Sequence, residues 1–149
     1  MSSLSSVMLQ ALSKGIRTIH LQGGVMGVFG DPQPIFDLEN LDAGNDAQIV
    51  CKFSDDTRQV FYYRRENLTD LFASKIDDGY LSVEVRETTT LTQVLEKLEK
   101  TFGRKFPVNE FQSFKLPRVL KGQTAICNLL ARYDSVSYRG CVTLRLKNV

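Results

Sequence analysis

A chain of 149 residues has an ordinary length for one domain, and folding at this size removes roughly 70% of the unfolded chain's surface from water, so it can build its own core. Its 42% hydrophobic and 24% charged residues argue against a disordered, collagenous or membrane-embedded chain. Nineteen basic and seventeen acidic residues leave a formal charge of +2, which exerts no long-range pull on a polyanion, so any basic function must be local.

In chain order, Ser3 is placed to cap a helix in which Leu4, Val7, Met8, Ala11 and Leu12 fall on one stripe, and Gly15 is placed to end it. A short strand is expected over 16–21. Beyond it, Gly23, Gly24, Gly27 and Gly30 interrupt Val25, Met26, Val28 and Phe29, and Pro32 and Pro34 follow. This pattern predicts a glycine-rich loop or arm over about 22–46. Apolar side chains are unusual in a solvated loop, so the arm either folds back on the core or is covered by a partner.

Ile49, Cys51 and Phe53 alternate with polar neighbours, and 60–64 is rich in strand formers. With turn residues at 54–57 between them, a β-hairpin over 49–64 is predicted. Asn67 is placed to cap a helical turn holding Leu68, Leu71 and Phe72 that packs back across the hairpin, and 77–79 reads as a turn.

Residues 80–86 alternate as a strand. Thr90 and Gln93 form a capping box before Leu91, Val94, Leu95, Leu98 and Phe102 at helical spacing, with Gly103 as the stop. Phe106, Phe111 and Phe114 pin an irregular connection. Segments 124–133 and 137–146, joined through Asp134 and Ser135, predict a second hairpin with Val142, Leu144 and Leu146 on one face and Cys141, Thr143 and Arg145 on the other. The expected architecture is a single α+β domain, 1–149: a mixed, mainly antiparallel sheet holding both hairpins and the 80–86 strand, with one or two packed amphipathic helices.

Chemistry-bearing patterns are sparse. His20 is the single histidine, which excludes a multi-histidine metal site and leaves no general base beside a nucleophile. The glycine run lacks the Gly-Lys-Ser/Thr ending of a phosphate loop and the dinucleotide spacing. Asp55/Asp56 and Asp77/Asp78 sit at turn tips without further oxygen ligands at a defined interval. Cys51, Cys127 and Cys141 are widely separated in apolar stretches, as buried reduced thiols are. No catalytic residue, cofactor or metal is therefore expected. Apolar runs are too short to span a bilayer and no secretory leader is evident, so no membrane partner is expected either.

Tyr62, Tyr63, Arg64 and Arg65 combine rings and cations on one strand, the chemistry by which single-stranded nucleic acid is stacked and neutralised. The rival reading places the tyrosines at a protein interface, together with Val25, Met26, Val28 and Phe29 of the arm.

Three segments carry a resemblance. They are Phe61-Tyr62-Tyr63-Arg64-Arg65-Glu66-Asn67-Leu68-Thr69-Asp70-Leu71-Phe72; then Thr88-Thr89-Thr90-Leu91 running to Leu95, Leu98, Gly103 and Phe106; and Asp134-Ser135-Val136-Ser137-Tyr138-Arg139-Gly140-Cys141-Val142-Thr143-Leu144. In order and approximate spacing over about 58–147, the chain resembles uncharacterised structural proteins of large tailed bacteriophages. It departs from them in carrying Cys141 where serine is commoner, and the glycine-rich amino-terminal portion has no counterpart. The resemblance implies a non-enzymatic virion component, made in the host cytoplasm and present in many copies in a capsid, neck, tail or baseplate. Its implied partners are copies of itself and other virion proteins, with nucleic acid the less favoured alternative.

Overall fold

The computed structural model describes residues 2–3, 6–35 and 38–149. They form an α+β fold of mainly antiparallel sheets in two compact units, one of 1–65 with 134–137 and the other of 66–133 with 138–149. Each unit has its own hydrophobic core. The single mixed sheet expected from the sequence is replaced by separate sheets, the 49–64 hairpin lying in one and the 80–86 and 124–146 segments in another.

The first unit contains β1 (Ser2–Ser3), α1 (Ser6–Ser13), β2 (Thr18–His20), β3 (Met26–Phe29), β4 (Gln33–Pro34), α2 (Leu38–Asp42), β5 (Ala47–Phe53) and β6 (Arg58–Tyr63). Its sheet runs in the order β1-β6-β5-β3-β2, with β4 also paired to β5. The hairpin β5–β6 forms as expected, Val50 facing Val60 and Lys52 facing Arg58 across a turn at 54–57. One sheet face carries Phe29, Ala47, Ile49, Cys51, Phe61 and Tyr63 into a core completed by Leu12, Met8 and Leu9 of α1 and by Val136. In the helix stripe read from the sequence, Leu4 lies outside the described residues, as do the side chains of Ser3 and Val7. Gly15 ends the helix as expected, at φ 87°, with its amide bonded to the Leu12 carbonyl.

The glycine-rich segment is where structure and expectation part. Residues 26–29 are a strand inside the sheet, bonded to β2 on one side and β5 on the other. Gly27 allows this by close approach. A Cβ there would lie 2.7 Å from Cys51 Sγ and 2.8 Å from the Phe53 ring, so a strand that looks broken by glycine is closely packed because of it. The rest of the predicted arm holds a 3-10 turn at Gln22–Gly24, the two-residue β4 and the short α2, with 36–37 outside the described residues.

The second unit contains β7 (Glu66–Asn67), α3 (Leu68–Leu71), β8 (Ile76–Asp77), β9 (Tyr80–Glu84), α4 (Leu91–Phe102), β10 (Thr124–Leu130), β11 (Tyr138–Arg139) and β12 (Cys141–Lys147). Asn67 caps α3, its side-chain oxygen accepting from the Thr69 amide. Leu68 and Phe72 enter this unit's core, not that of the hairpin across which the sequence reading packed them. The β8–β9 turn places Asp78 and Gly79 at φ 55° and 82°, the left-handed pair that a two-residue hairpin needs.

The main sheet runs β10-β12-β9-β8, and β7 pairs separately with β11. As the alternation predicts, Val142, Leu144 and Leu146 are buried. The β10–β12 ladder stops at Leu130–Cys141, earlier than the sequence suggests. Gly140, at φ 81°, separates β12 from β11, while 134–137 leave to join the first unit.

Helix α4 shows the best agreement between sequence and structure. Leu91, Val94, Leu95 and Leu98 are buried, Phe102 is half-buried against the same core, the Thr90–Gln93 capping box is formed and Gly103 closes the helix at φ 67°. Thr90→Ala removes the acceptor for the Gln93 amide at 3.2 Å. It is expected to lower stability by about 1 kcal/mol, measured as a shift in urea midpoint without change of slope.

Candidate functional site

Because side chains alternate along strands, the first unit's sheet has a second face opposite its core. Thr18 and His20 of β2, Met26 and Val28 of β3, Gln48, Val50 and Lys52 of β5, and Arg58, Val60 and Tyr62 of β6 lie there, out of phase with the buried set. Register aligns Thr18 with Val28, Val28 with Lys52 and Lys52 with Arg58. In neighbouring rows His20 faces Met26, Val50 faces Val60 and Gln48 faces Tyr62. Met26 is 41% and Val28 48% exposed, and Val50, Val60 and Tyr62 are half-buried. An antiparallel sheet with one solvated face usually presents polar residues there. This one instead has an apolar stripe across three strands, with Lys52 and Arg58 beside it.

The interface residues proposed from sequence are therefore divided between two faces. Met26, Val28 and Tyr62 share the open face, and half-buried Val25 precedes β3. Phe29 and Tyr63 point the other way and are 4% and 6% exposed, Phe29 packing on Phe61 with ring centroids 5.8 Å apart. Of the Tyr62–Arg65 group, Tyr62 is on the open face and Arg64 is exposed. Tyr63 is in the core. Arg65 is engaged by Asp46, whose carboxylate accepts from the Arg65 amide at 2.6 Å and from Nε at 3.0 Å, and Arg65 Nη1 donates to the Ser135 carbonyl at 3.4 Å. The four residues do not form one stacking and phosphate-binding surface.

The acidic pairs act as turn residues. Asp55 accepts from the Thr57 hydroxyl at 2.5 Å and amide at 3.1 Å, and these bonds hold its carboxyl below the usual carboxylate range. Asp78 lies 3.8 Å from Arg145, whose guanidinium stacks 4.4 Å from the Tyr80 ring centroid. Among the described residues no three metal-ligating side chains come together. His20 is exposed on its strand. Burial pushes the Cys51 and Cys127 thiols up, which disfavours the reactive thiolate, while Cys141 is exposed.

Val50, Val60, Lys52 and Arg58 carry no motif that marks them as site residues. Period-two alternation within their own hairpin would have placed all four beside Tyr62 once β3 was recognised as a strand. A second group had no local sign. Arg104 forks onto Glu66 at 2.7 and 3.2 Å and reaches the Tyr138 hydroxyl at 3.3 Å, its guanidinium lying 5.6 Å from the Phe106 and 5.8 Å from the Tyr138 ring centroids. Burial pushes the Tyr138 phenol up, while Arg104 pulls it back. These residues clamp β7 to β11 from positions distant in sequence.

No protein-family model, curated protein or solved structure matches the chain. Among the described residues, no helix is long and apolar enough to cross a membrane.

Proposed function

We propose that this chain is a non-enzymatic structural subunit acting through multi-copy assembly, of the virion kind its resemblance implies, and that the open face of the first unit's sheet is its contact surface. One observation carries the reading. Met26, Val28, Val50, Val60 and Tyr62 occupy the solvated face of a sheet whose other face already has a complete core. Full burial of one such side chain contributes about 1.5–3 kcal/mol, so covering the stripe drives association when it is repeated between many copies. Lys52 and Arg58 at its side fit an acidic rim on the covering protein and disfavour a basic one.

Val28→Asp tests this because it places a charge in the stripe at a side chain already 48% exposed. The fold is expected to survive at a cost of about 1 kcal/mol or less, while entry into particles, read as copy number in purified virions, falls sharply. Normal incorporation of a folded Val28→Asp variant overturns the assigned surface. Absence of the native chain from purified virions overturns the structural role, and salt-dependent oligonucleotide binding lost in Tyr62→Ala and Lys52→Ala overturns it in favour of nucleic-acid binding.

A further inference from the structure

The second unit's main sheet ends at β10, and the direction of its backbone groups can be read from two bonds. The Ala131 amide donates to the Gly140 carbonyl at 3.0 Å on the β12 side, and the Leu130 carbonyl accepts from the Gln112 amide at 2.8 Å on the opposite side. By alternation, the amides and carbonyls of Thr124, Ile126 and Asn128 point outward with those of Leu130. Among the described residues, no backbone hydrogen bond meets these three groups from that side.

Sheet edges are ordinarily blunted by shortness, charge, proline or a bulge. The opposite end of this sheet, β8, has two residues, one of them Asp77, and the first unit's sheet ends in strands of two and three residues. β10 has seven residues, Thr-Ala-Ile-Cys-Asn-Leu-Leu, without charge, proline or glycine, and Ile126 is 56% exposed.

We infer that β10 pairs edge to edge and antiparallel with β10 of a second copy of this chain. The backbone edge specifies an extended strand as its partner, and charge indicates which one. A two-fold axis sets the central residue of the paired stretch against its own copy, so a charge there would meet a like charge, and among the described residues β10, the one strand longer than three residues that ends a main sheet, is neutral from 123 to 131. Because Gln112 already occupies Leu130, the open stretch is 124–129 and its symmetric use centres on Ile126. Ile126 then faces Ile126 of the copy, and Thr124 faces Asn128 of the copy at both ends. These three narrow pairs supply about six backbone hydrogen bonds, and two four-stranded sheets become one of eight. This surface belongs to a different unit from the open face proposed above, so either assignment can fail alone.

The test is amide hydrogen exchange of the full chain against concentration, paired with sedimentation equilibrium. The expected result is a mass that rises from one copy to two, with the Ile126 and Asn128 amides gaining protection in step. Ile126→Lys sets an ammonium against its own copy and is expected to weaken the dimer by roughly tenfold or more at unchanged circular dichroism. Ile126→Pro, which removes only an outward amide, is expected to act alike, and Val28→Asp is expected to leave the dimer intact. Each of the following results overturns the inference. One is a single-copy mass at every concentration with both amides exchanging freely, and another is a mass that rises to two copies while protection of both amides stays unchanged. A third is a dimer of native strength in both Ile126 variants. Protection gained only on adding a different virion protein overturns the second-copy assignment.

Discussion

Phe106→Ala is expected to lower the unfolding free energy by about 3–5 kcal/mol, the usual range for truncating a buried aromatic in a core that cannot collapse around the gap. Phe106 is fully buried where an irregular connection, a helix and a short parallel strand pair meet. Its ring lies 5.4 Å from Phe72, 6.1 Å from Tyr138, and 6.5 Å from both Phe102 and Phe111, measured between centroids. Its amide is held by Glu99 Oε2 at 2.7 Å, so the backbone cannot easily shift to fill the space. Loss of the ring also removes one of the two aromatic faces that support Arg104 above Glu66. Urea denaturation followed by circular dichroism checks the value. A midpoint close to the native one would show that the aromatic cluster is not the fixed centre of the second unit, and Phe106→Leu, which keeps most of the volume, should cost clearly less.

Elements whose evidence lies within one turn or one strand were legible from sequence. For α4, cap, period and terminator all agree within 90–103, and each is a local interaction that the fold has no reason to override. The β5–β6 turn, the Asn67 cap and the inward face of β12 were legible for the same reason. What was missed depends on neighbours distant in sequence. Whether Gly27 breaks a strand or admits a close neighbour is decided by Cys51 and Phe53, which meet it only in the folded sheet. The division into two units is likewise invisible in composition, because Val136, inside the second hairpin's loop, contributes to the first unit's core. The Arg104–Glu66–Tyr138 clamp joins residues 34 and 38 positions apart, with no motif to announce it.

Phe29→Ser and Met26→Ser are expected to give opposite results although the two residues are three apart in one glycine-rich segment. On β3 they point to opposite faces, Phe29 into the core against Phe61 and Met26 to solvent beside His20. Phe29→Ser leaves a cavity and a buried hydroxyl in a small core whose remaining large side chains are few. The cost is about 3–5 kcal/mol from the lost ring, increased if the hydroxyl finds no partner, enough to open the first unit for a chain of ordinary marginal stability. Met26→Ser removes a side chain already 41% exposed, from a strand whose backbone bonds stay in place, and should cost about 1 kcal/mol or less. Its expected effect is on association, since the deleted thioether is part of the stripe proposed as the contact surface. Hydrogen exchange of the β5 and β6 amides separates the two, with loss of protection in Phe29→Ser and native protection in Met26→Ser. If both variants kept native protection, the ring of Phe29 would contribute little to the core. If both lost it, the open face would be part of the folded core and the assembly surface would have to lie elsewhere.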